Sequence, residues 1–201
     1  MTDAAILMID VLNTFDFDGG EALADAADGI VAPITALREQ AVAADVPVIY
    51  VNDNYGRWRD EPSQLIEELS SERNRGASIA RALRPGTGDY FVIKPESSGF
   101  YATTLPALLP RLGVSRLVLV GLAADICVLF TAADAHMREY DLWVPSDAVA
   151  AQEPARCRWA SELISNGMNA ETAAVGDLSL ADWRAHEPRV APGGARMIRS
   201  T

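Results

Sequence analysis

Residues 116–128 read RLVLVGLAADICV, and this stretch contains the pattern that decides the fold. Its first half is a continuous apolar run without alternation, which is typical of a parallel strand buried on both faces. Its second half passes through small residues into an amphipathic segment and carries a thiol, Cys127. This cysteine is either a small hydrophobe of the core or a nucleophile held at the start of a helix.

Similar apolar runs alternate with helical patterns along the rest of the chain. The predicted strands are 4–9, 46–51, 90–93, 116–121, 141–145 and, more weakly, 171–175. Apolar residues recur with helical spacing in 29–44, 104–112, 125–139 and 153–166. Because strands alternate with helices, the connections are expected to be right-handed crossovers. We therefore predict an α/β fold, a doubly wound three-layer sandwich with a six-stranded parallel sheet.

The domain organisation follows from length and from a change of composition near the C-terminus. A chain of 201 residues suits one domain, which we place at 1–183. The long polar segment 54–88 is expected to hold one or two short helices inside that domain. Residues 184–201 contain four arginines and a PGG turn. We expect a flexible basic tail there, or an arm that docks on a neighbouring subunit.

Charge and composition exclude several classes of partner. The formal net charge is -11, which disfavours binding to nucleic acid or to anionic membrane surfaces. The N-terminal stretch lacks a basic region, and no apolar run approaches the roughly 20 residues of a membrane span. Two cysteines are too few for a disulfide framework. We expect a cytoplasmic protein with free thiols and a small-molecule substrate.

Three side chains that could take part in catalysis follow three different predicted strands. Asp10 follows the first strand, Lys94 the third, and Cys127 comes just after the fourth. In open α/β sheets ligands bind beyond the carboxyl ends of the strands, so the three are expected to converge. Alone, each has an ordinary structural explanation: a capping acid, a surface lysine and a core thiol.

Together these three residues suit nucleophilic catalysis. A helix N-terminus and the Lys94 ammonium are expected to lower the pKa of the Cys127 thiol from its usual value near ~8.5. Asp10 can take the thiol proton and deliver it to a leaving amine. Small residues before Cys127 let the backbone amides approach an oxyanion.

These motifs resemble the isochorismatase-like cysteine hydrolase superfamily, which includes nicotinamidases, N-carbamoylsarcosine amidohydrolases and ureide hydrolases. The resemblance covers residues 4 to about 180. It rests on three motifs, AILMID at 5–10, VIKPESSGFYAT at 92–103 and GLAADICV at 121–128.

The resemblance implies a site as well as a fold. It implies a catalytic triad of Asp10, Lys94 and Cys127, and a cis peptide bond between Leu122 and Ala123. The amides of Ala123 and Cys127 would then form the oxyanion hole. Members of the family are usually dimers or tetramers, so a homodimer or homotetramer is expected.

The chain also departs from parts of the family pattern. Nicotinamidases carry an Asp-x-His motif and a further histidine after strand 2, whereas this chain has Asn52, Asp53 and Asn54. Without imidazole ligands we expect no catalytic metal, no cofactor and no nicotinamide substrate. Leu12 and Ala124 stand where the family often has glutamine and threonine.

The predicted function is metal-independent cleavage of an amide or ureido C–N bond in a small molecule, through a thioester-type intermediate. Two alternatives stay open: an isochorismatase-type vinyl-ether hydrolase that uses Asp10 as acid, and a non-catalytic partner protein on the same fold. The candidates for the pocket wall are Asn13, Phe15, Asn54 and Trp58. Phe100 is expected to serve ordinary packing.

Overall fold

A parallel sheet of six strands forms the centre of the molecule. The computed structural model describes residues 3–189. Its strands are β1 (Ala4–Ile9), β2 (Val48–Asn52), β3 (Tyr90–Ile93), β4 (Arg116–Leu122), β5 (Asp141–Trp143) and β6 (Val149–Ala150). The order is β3-β2-β1-β4-β5, β6 also pairs with β4, and every pairing is parallel. The predicted fold class is confirmed.

Helices cover both faces of this sheet. They are α1 (Gly20–Asp28), α2 (Val31–Ala43), α3 (Pro62–Leu69), α4 (Ala77–Ala82), α5 (Leu105–Leu112), α6 (Leu129–Met137), α7 (Pro154–Met168) and α8 (Leu180–Ala185). Alternate residues of β1 feed two separate cores. Ile6 and Met8 pack in the core that includes α1 to α4 and α8, whereas Leu7 and Ile9 pack in the core of α5, α6 and α7. A strand buried on both faces explains the continuous apolar runs in the sequence.

The sixth strand is not the predicted one. The strand expected at 171–175 is wrong, because only Glu171 forms a bridge, with Trp143. The amides of Thr172 and Ala173 donate to the Glu171 carboxylate at 2.8 and 2.9 Å, so they do not join the sheet. The sixth strand is the two-residue β6, too short to be recognised from an apolar pattern. The sequence reading also missed α1 and α8.

The expected boundary at residue 184 falls inside helix α8. Arg184 donates to the Asp3 carboxylate at 2.8 Å, and the Arg189 guanidinium lies 2.5 Å from Glu171, so this part of the chain contacts the domain. The rest of the expected tail, 190–201, lies outside the described residues, and its role as an arm stays a prediction.

The helices of the described chain are shorter or more polar than a membrane-spanning helix. None of those within residues 3–189 has both the length and the apolar character that a membrane span requires.

The strand order places a switch point at the carboxyl ends of β1 and β4. From β1 the chain builds outward through β2 and β3, and then β4 starts the other half of the sheet. Gly121 of β4 pairs with Ile9 of β1 and has a φ of +111°. A Cβ at Gly121 would lie 2.1 Å from the Ile9 carbonyl oxygen. Glycine therefore allows the two strand ends to approach each other where ligands bind in such folds.

Candidate active site

Asp10 begins the site directly after β1. Its backbone is left-handed, with a φ of +49°, a conformation that aspartate tolerates better than most residues. The Asp10 amide donates to the Val51 carbonyl at 3.1 Å, and its Oδ1 accepts from the Asp53 amide at 2.9 Å. Two bonds to the end of β2 thus hold the turned-back backbone. The carboxylate is buried and its other oxygen faces the lysine.

Lys94 lies directly after β3 and joins the other two residues. Its Nζ is 2.8 Å from Asp10 Oδ2, 3.4 Å from Cys127 Sγ and 3.0 Å from the Glu96 carbonyl oxygen. The side chain is only 2% exposed, so a snorkelling surface lysine is excluded. The three predicted residues therefore converge, and the ammonium is their common partner.

Cys127 lies in a π-helix that connects β4 to α6. The π-helix spans Ala124–Val128, and Ala123 before it is extended, with φ and ψ of −83° and 143°. The wide turn is closed by the Val128 amide, which donates to the Ala123 carbonyl at 3.1 Å. π-Helical turns of this kind are frequent at functional sites. The thiol is half-buried and uncrosslinked.

The turn before the thiol contains no cis peptide bond. The bond predicted between Leu122 and Ala123 is wrong for this structure, because no peptide bond in residues 3–189 is cis. The positive φ of Gly121 and the following π-helix turn the chain instead. The oxyanion role of the Ala123 and Cys127 amides stays a prediction.

Burial dominates the titration of the three groups. Burial, the largest cause, and the charge of Asp10 together raise the pKa of the Cys127 thiol to about 12, against the opposing effect of Lys94. The expected lowering of the thiol pKa is thus wrong. Burial also raises the pKa of Asp10 despite the Lys94 ammonium. For Lys94, burial favours the neutral amine, but the charges of Asp10 and Cys127 leave its pKa raised. The resting site therefore holds a neutral thiol beside the Lys94–Asp10 pair.

A first cavity, of about 190 Å³, opens on one side of Cys127. Its walls combine the turn Leu122–Cys127 with apolar side chains such as Phe17 and with the polar Gln152 and Arg156. Arg156 Nε lies 3.0 Å from the carboxylate of Asp125, which is nearly buried. Asp125 lines the same cavity as the thiol. The Arg156 guanidinium offsets its charge.

A second cavity, of about 240 Å³, also borders the triad. Asp10, Asn13 and Cys127 line both cavities, and Lys94 lines only the second. The remaining walls of the second cavity come from the loops after β2 and β3: Asp53, Tyr55, Pro95, Glu96 and Ser97. The thiol thus borders two cavities whose other walls differ.

Of the four pocket-wall candidates, only Asn13 lines these cavities. Phe15 is 2% exposed and belongs to the hydrophobic core. Asn54 is buried and its side chain accepts from the Gly56 amide at 3.1 Å. Trp58 is 65% exposed and lies outside both cavities. The structure corrects these three assignments, whereas Phe100 packs against Tyr140 as expected.

Sequence reasoning missed Arg156, and a signal for it was present. Arg156 lies in the first turn of α7, where a cation is unfavourable because helix N-termini carry partial positive charge. A cation at that position calls for a specific partner, and Asp125 supplies it. Asn52 was also missed as a support: it donates to the Leu12 carbonyl at 2.9 Å and fixes the loop that carries Asn13.

The site offers poor ligands for a metal ion. No group of three or more histidine, cysteine or acidic side chains within residues 3–189 is arranged to hold one. Lys94 is beside the two potential ligands Asp10 and Cys127, and an ammonium there competes with a cation.

Fold and site together define the class of this protein. A doubly wound parallel sheet that brings an aspartate, a lysine and a cysteine to its switch point has the architecture of the isochorismatase-like hydrolases.

Comparisons with known proteins agree with this class. Residues 4–177 match the model of the isochorismatase domain. The isochorismatase family protein YaaI of Bacillus subtilis is 40% identical over 169 residues, which are 84% of this chain and 92% of that protein. The ureidoacrylate amidohydrolase RutB of Agrobacterium fabrum is 28% identical over 165 residues, 69% of this chain and 72% of that protein.

Solved structures are similar as well. The N-carbamoylsarcosine amidase of Thermoplasma acidophilum has a TM-score of 0.67 and 30% identity, with 89% of this chain and 99% of that chain covered. An isochorismatase family protein of Desulfovibrio vulgaris has a TM-score of 0.72 and 27% identity, with 92% and 100% covered. The chain belongs to the isochorismatase family and is a hydrolase of that family.

Proposed function

We propose that this protein is a metal-independent cysteine hydrolase that cleaves an amide or ureido C–N bond of a small molecule. The observation that carries the proposal is the contact of one buried ammonium, Lys94 Nζ, with Asp10 at 2.8 Å and with Cys127 Sγ at 3.4 Å. Both cavities open on this thiol. A structural core cysteine would have neither the charged partners nor the access.

The reaction begins with a neutral thiol. Because the pKa of Cys127 is raised to about 12, a free thiolate is scarce at neutral pH. Asp10 takes the proton as Sγ attacks the carbonyl carbon, and Lys94 stabilises the negative charge that develops on sulfur. The amides of the Ala123–Cys127 turn hold the carbonyl oxygen as it becomes an oxyanion.

The rest of the reaction makes three proton transfers through the same carboxyl group: one to the leaving nitrogen, one from water and one back to sulfur. Asp10 gives its proton to the leaving nitrogen, the C–N bond breaks and the amine departs, which leaves a thioester on Cys127. Asp10 then takes a proton from water, whose oxygen attacks the thioester carbon. The C–S bond breaks, sulfur regains the proton and the acid is released.

Arg156 supports a substrate that carries an anionic group on its acyl side. Its Nε is held by Asp125 at 3.0 Å, and its guanidinium lines the first cavity together with Gln152. Guanidinium groups suit the planar geometry of carboxylates. The names of two similar proteins, ureidoacrylate amidohydrolase and N-carbamoylsarcosine amidase, also denote ureido or carbamoyl compounds. Ureido acids are therefore the first substrates to test.

The test is ammonia release from a panel of small amides, ureides and ureido acids. We expect wild-type turnover of at least one member and its loss in Cys127→Ala. The matched control is Cys157→Ala, the other cysteine of the chain, which should keep full activity. Equal turnover by wild type and Cys127→Ala would end the proposal. Pyruvate release from isochorismate by both would instead favour vinyl-ether hydrolysis with Asp10 as the acid.

A further inference from the structure

The two cavities beside Cys127 differ in charge. In the first, Asp125 and Arg156 form an ion pair at 3.0 Å through Nε, so the pair adds no net charge, while the other guanidinium nitrogens can still donate to a substrate carboxylate. In the second, the Lys94–Asp10 pair is joined by Asp53 and Glu96. Neither of these two acids has an ion-pair partner among residues 3–189. The lining of the second cavity, which includes the thiol, thus carries uncompensated negative charge.

The site's geometry assigns a different part of the substrate to each cavity, provided that the proposed function holds. The turn Leu122–Cys127, whose amides hold the oxyanion in the proposed mechanism, lines the first cavity. Phe17 and Leu23 give that cavity apolar walls for an acyl group. The leaving nitrogen must face Asp10, which lines both cavities. The second cavity is then the space left for the amine.

We propose that the second cavity is a charge filter for the leaving group, with Asp53 and Glu96 as its specificity-determining residues. They favour an amine that is neutral or cationic and disfavour an anionic substituent on the scissile nitrogen. A ureido acid would therefore keep its acid-bearing half in the first cavity and release ammonia through the second. Ammonia leaving as ammonium would be attracted by the same two carboxylates.

The first experiment needs no substrate. In Cys157→Ala protein, Cys127 is the sole thiol. Its labelling rates with cationic trimethylammonioethyl methanethiosulfonate and anionic sulfonatoethyl methanethiosulfonate give a charge-preference ratio. We expect this ratio to favour the cation and to fall on the order of fivefold in each of Asp53→Asn and Glu96→Gln, the effect of one unit charge several ångströms away.

The control is Glu39→Gln, which removes an exposed carboxylate of α2 and changes the net charge of the protein by the same amount. It should leave the ratio unchanged. If Asp53→Asn and Glu96→Gln change the charge-preference ratio no more than Glu39→Gln does, the charge-filter proposal is wrong. This holds even if the protein hydrolyses no member of the panel.

The second experiment uses the best amide of the panel and its N-carboxymethyl and N-aminoethyl derivatives. We expect the N-carboxymethyl derivative to have the lowest kcat/KM and to recover in Glu96→Gln. Equal kcat/KM for the anionic and cationic derivatives in wild type would contradict the charge-filter proposal but not the proposed function. If no member of the panel is hydrolysed, the proposed function is wrong, and the charge-preference ratio of labelling alone tests the charge-filter proposal.

Discussion

At Cys127 the environment favours the thiol over the thiolate. Burial and the neighbouring carboxylate together raise the pKa of this group to about 12, against the effect of Lys94. A buried thiol that is deprotonated only during attack is protected from adventitious oxidation, since the thiolate is the reactive form. In the proposed mechanism, hydrolysis at neutral pH thus depends on the transfer of the thiol proton to Asp10, whereas alkylation depends on the small fraction of free thiolate.

This arrangement predicts opposite effects of Asp10→Asn on two reactions of the same sulfur. Asp10 raises the pKa of the thiol, so its neutral replacement should lower that pKa and speed alkylation of Cys127 by iodoacetamide at pH 8 to 9. Hydrolysis should fall about 100-fold to 10,000-fold, because the general acid–base is lost. Alkylation rates against pH in the Cys157→Ala background provide the measurement. Slower alkylation in Asp10→Asn would contradict the assignment.

Lys94 should act in the reverse direction. The Lys94 ammonium lowers the pKa of the thiol, so Lys94→Met should raise that pKa and slow alkylation at the same pH. The pH profile of alkylation separates this effect from a loss of folding, which would expose Cys127 and speed its labelling. If Lys94→Met does not shift the pH profile of Cys127 alkylation, the ammonium does not act on the sulfur.

The convergence of these residues was predictable for a physical reason. Asp10 and Lys94 follow parallel strands directly, and the carboxyl ends of parallel strands meet at one edge of the sheet. Phe15 and Trp58 lie in loops, whose course depends on tertiary contacts rather than on local pattern. Their side chains could therefore not be placed from the sequence. The raised pKa of the Cys127 thiol likewise depends on burial, which the sequence does not show.

At the scale of elements, the contact between β1 and β4 positions the site. Gly121 combines a φ of +111° with a Cβ position only 2.1 Å from the Ile9 carbonyl oxygen. We expect Gly121→Ala to lower the free energy of unfolding by at least about 2 kcal/mol, because any side chain there adds strain and a backbone clash.

The control for this substitution is Gly88→Ala. A Cβ at Gly88 would meet no atom within 4 Å, so its effect should stay within about 1 kcal/mol. Urea denaturation compares the two variants. Equal stability of both would contradict the close approach of the two strands.

The segment after α7 shows why the sixth strand was misplaced. Burial acts to raise the pKa of Glu171, but the amides of Ala173 and Thr172 and the Arg189 guanidinium lower it overall. A carboxylate that accepts from its own following amides ends a strand instead of continuing it. The apolar pattern of 171–175 could not reveal this local bond.

The lowered pKa of Glu171 predicts a pH-dependent effect of Glu171→Gln. Because the folded carboxyl has the lower pKa, its stabilisation is present above the unfolded value of about 4.5 and is lost as the pH falls through the folded value. Glu171→Gln should thus be less stable than wild type at pH 7, and the difference should shrink below pH ~4. Urea midpoints at both pH values test this, with the exposed Glu162→Gln as control. A difference that grows on acidification would contradict it.

At the scale of the whole molecule, a buried arginine ties the C-terminal helix to the sheet. Arg116 Nη2 lies 2.8 Å from Asp141 Oδ2, and both side chains are almost inaccessible. Arg116 also donates to the carbonyls of Trp183, Arg184 and His186 at 2.8 to 3.1 Å. This cluster lies at the amino ends of β4 and β5, at the opposite end of these strands from the triad.

Substitution of Arg116 in this cluster should cause a large loss of stability without changing the residues of the active site. Arg116→Met should lower the free energy of unfolding by about 3–5 kcal/mol, because Asp141 becomes a buried and unpaired charge. Adding Asp141→Asn should restore part of the loss, since the unpaired charge is removed. Urea denaturation of the single and double variants measures the coupling. A double variant less stable than Arg116→Met would contradict this explanation. The expected homodimer or homotetramer stays a prediction.

The central claim is that Cys127 Sγ attacks the substrate carbonyl, and intact-mass spectrometry of rapidly quenched enzyme tests it most directly. During turnover of an active panel member, the account predicts an acyl adduct that maps to the peptide containing Cys127. The adduct should be absent from Cys127→Ala and present in Cys157→Ala. Turnover without any adduct, undiminished in Cys127→Ala, would contradict the account.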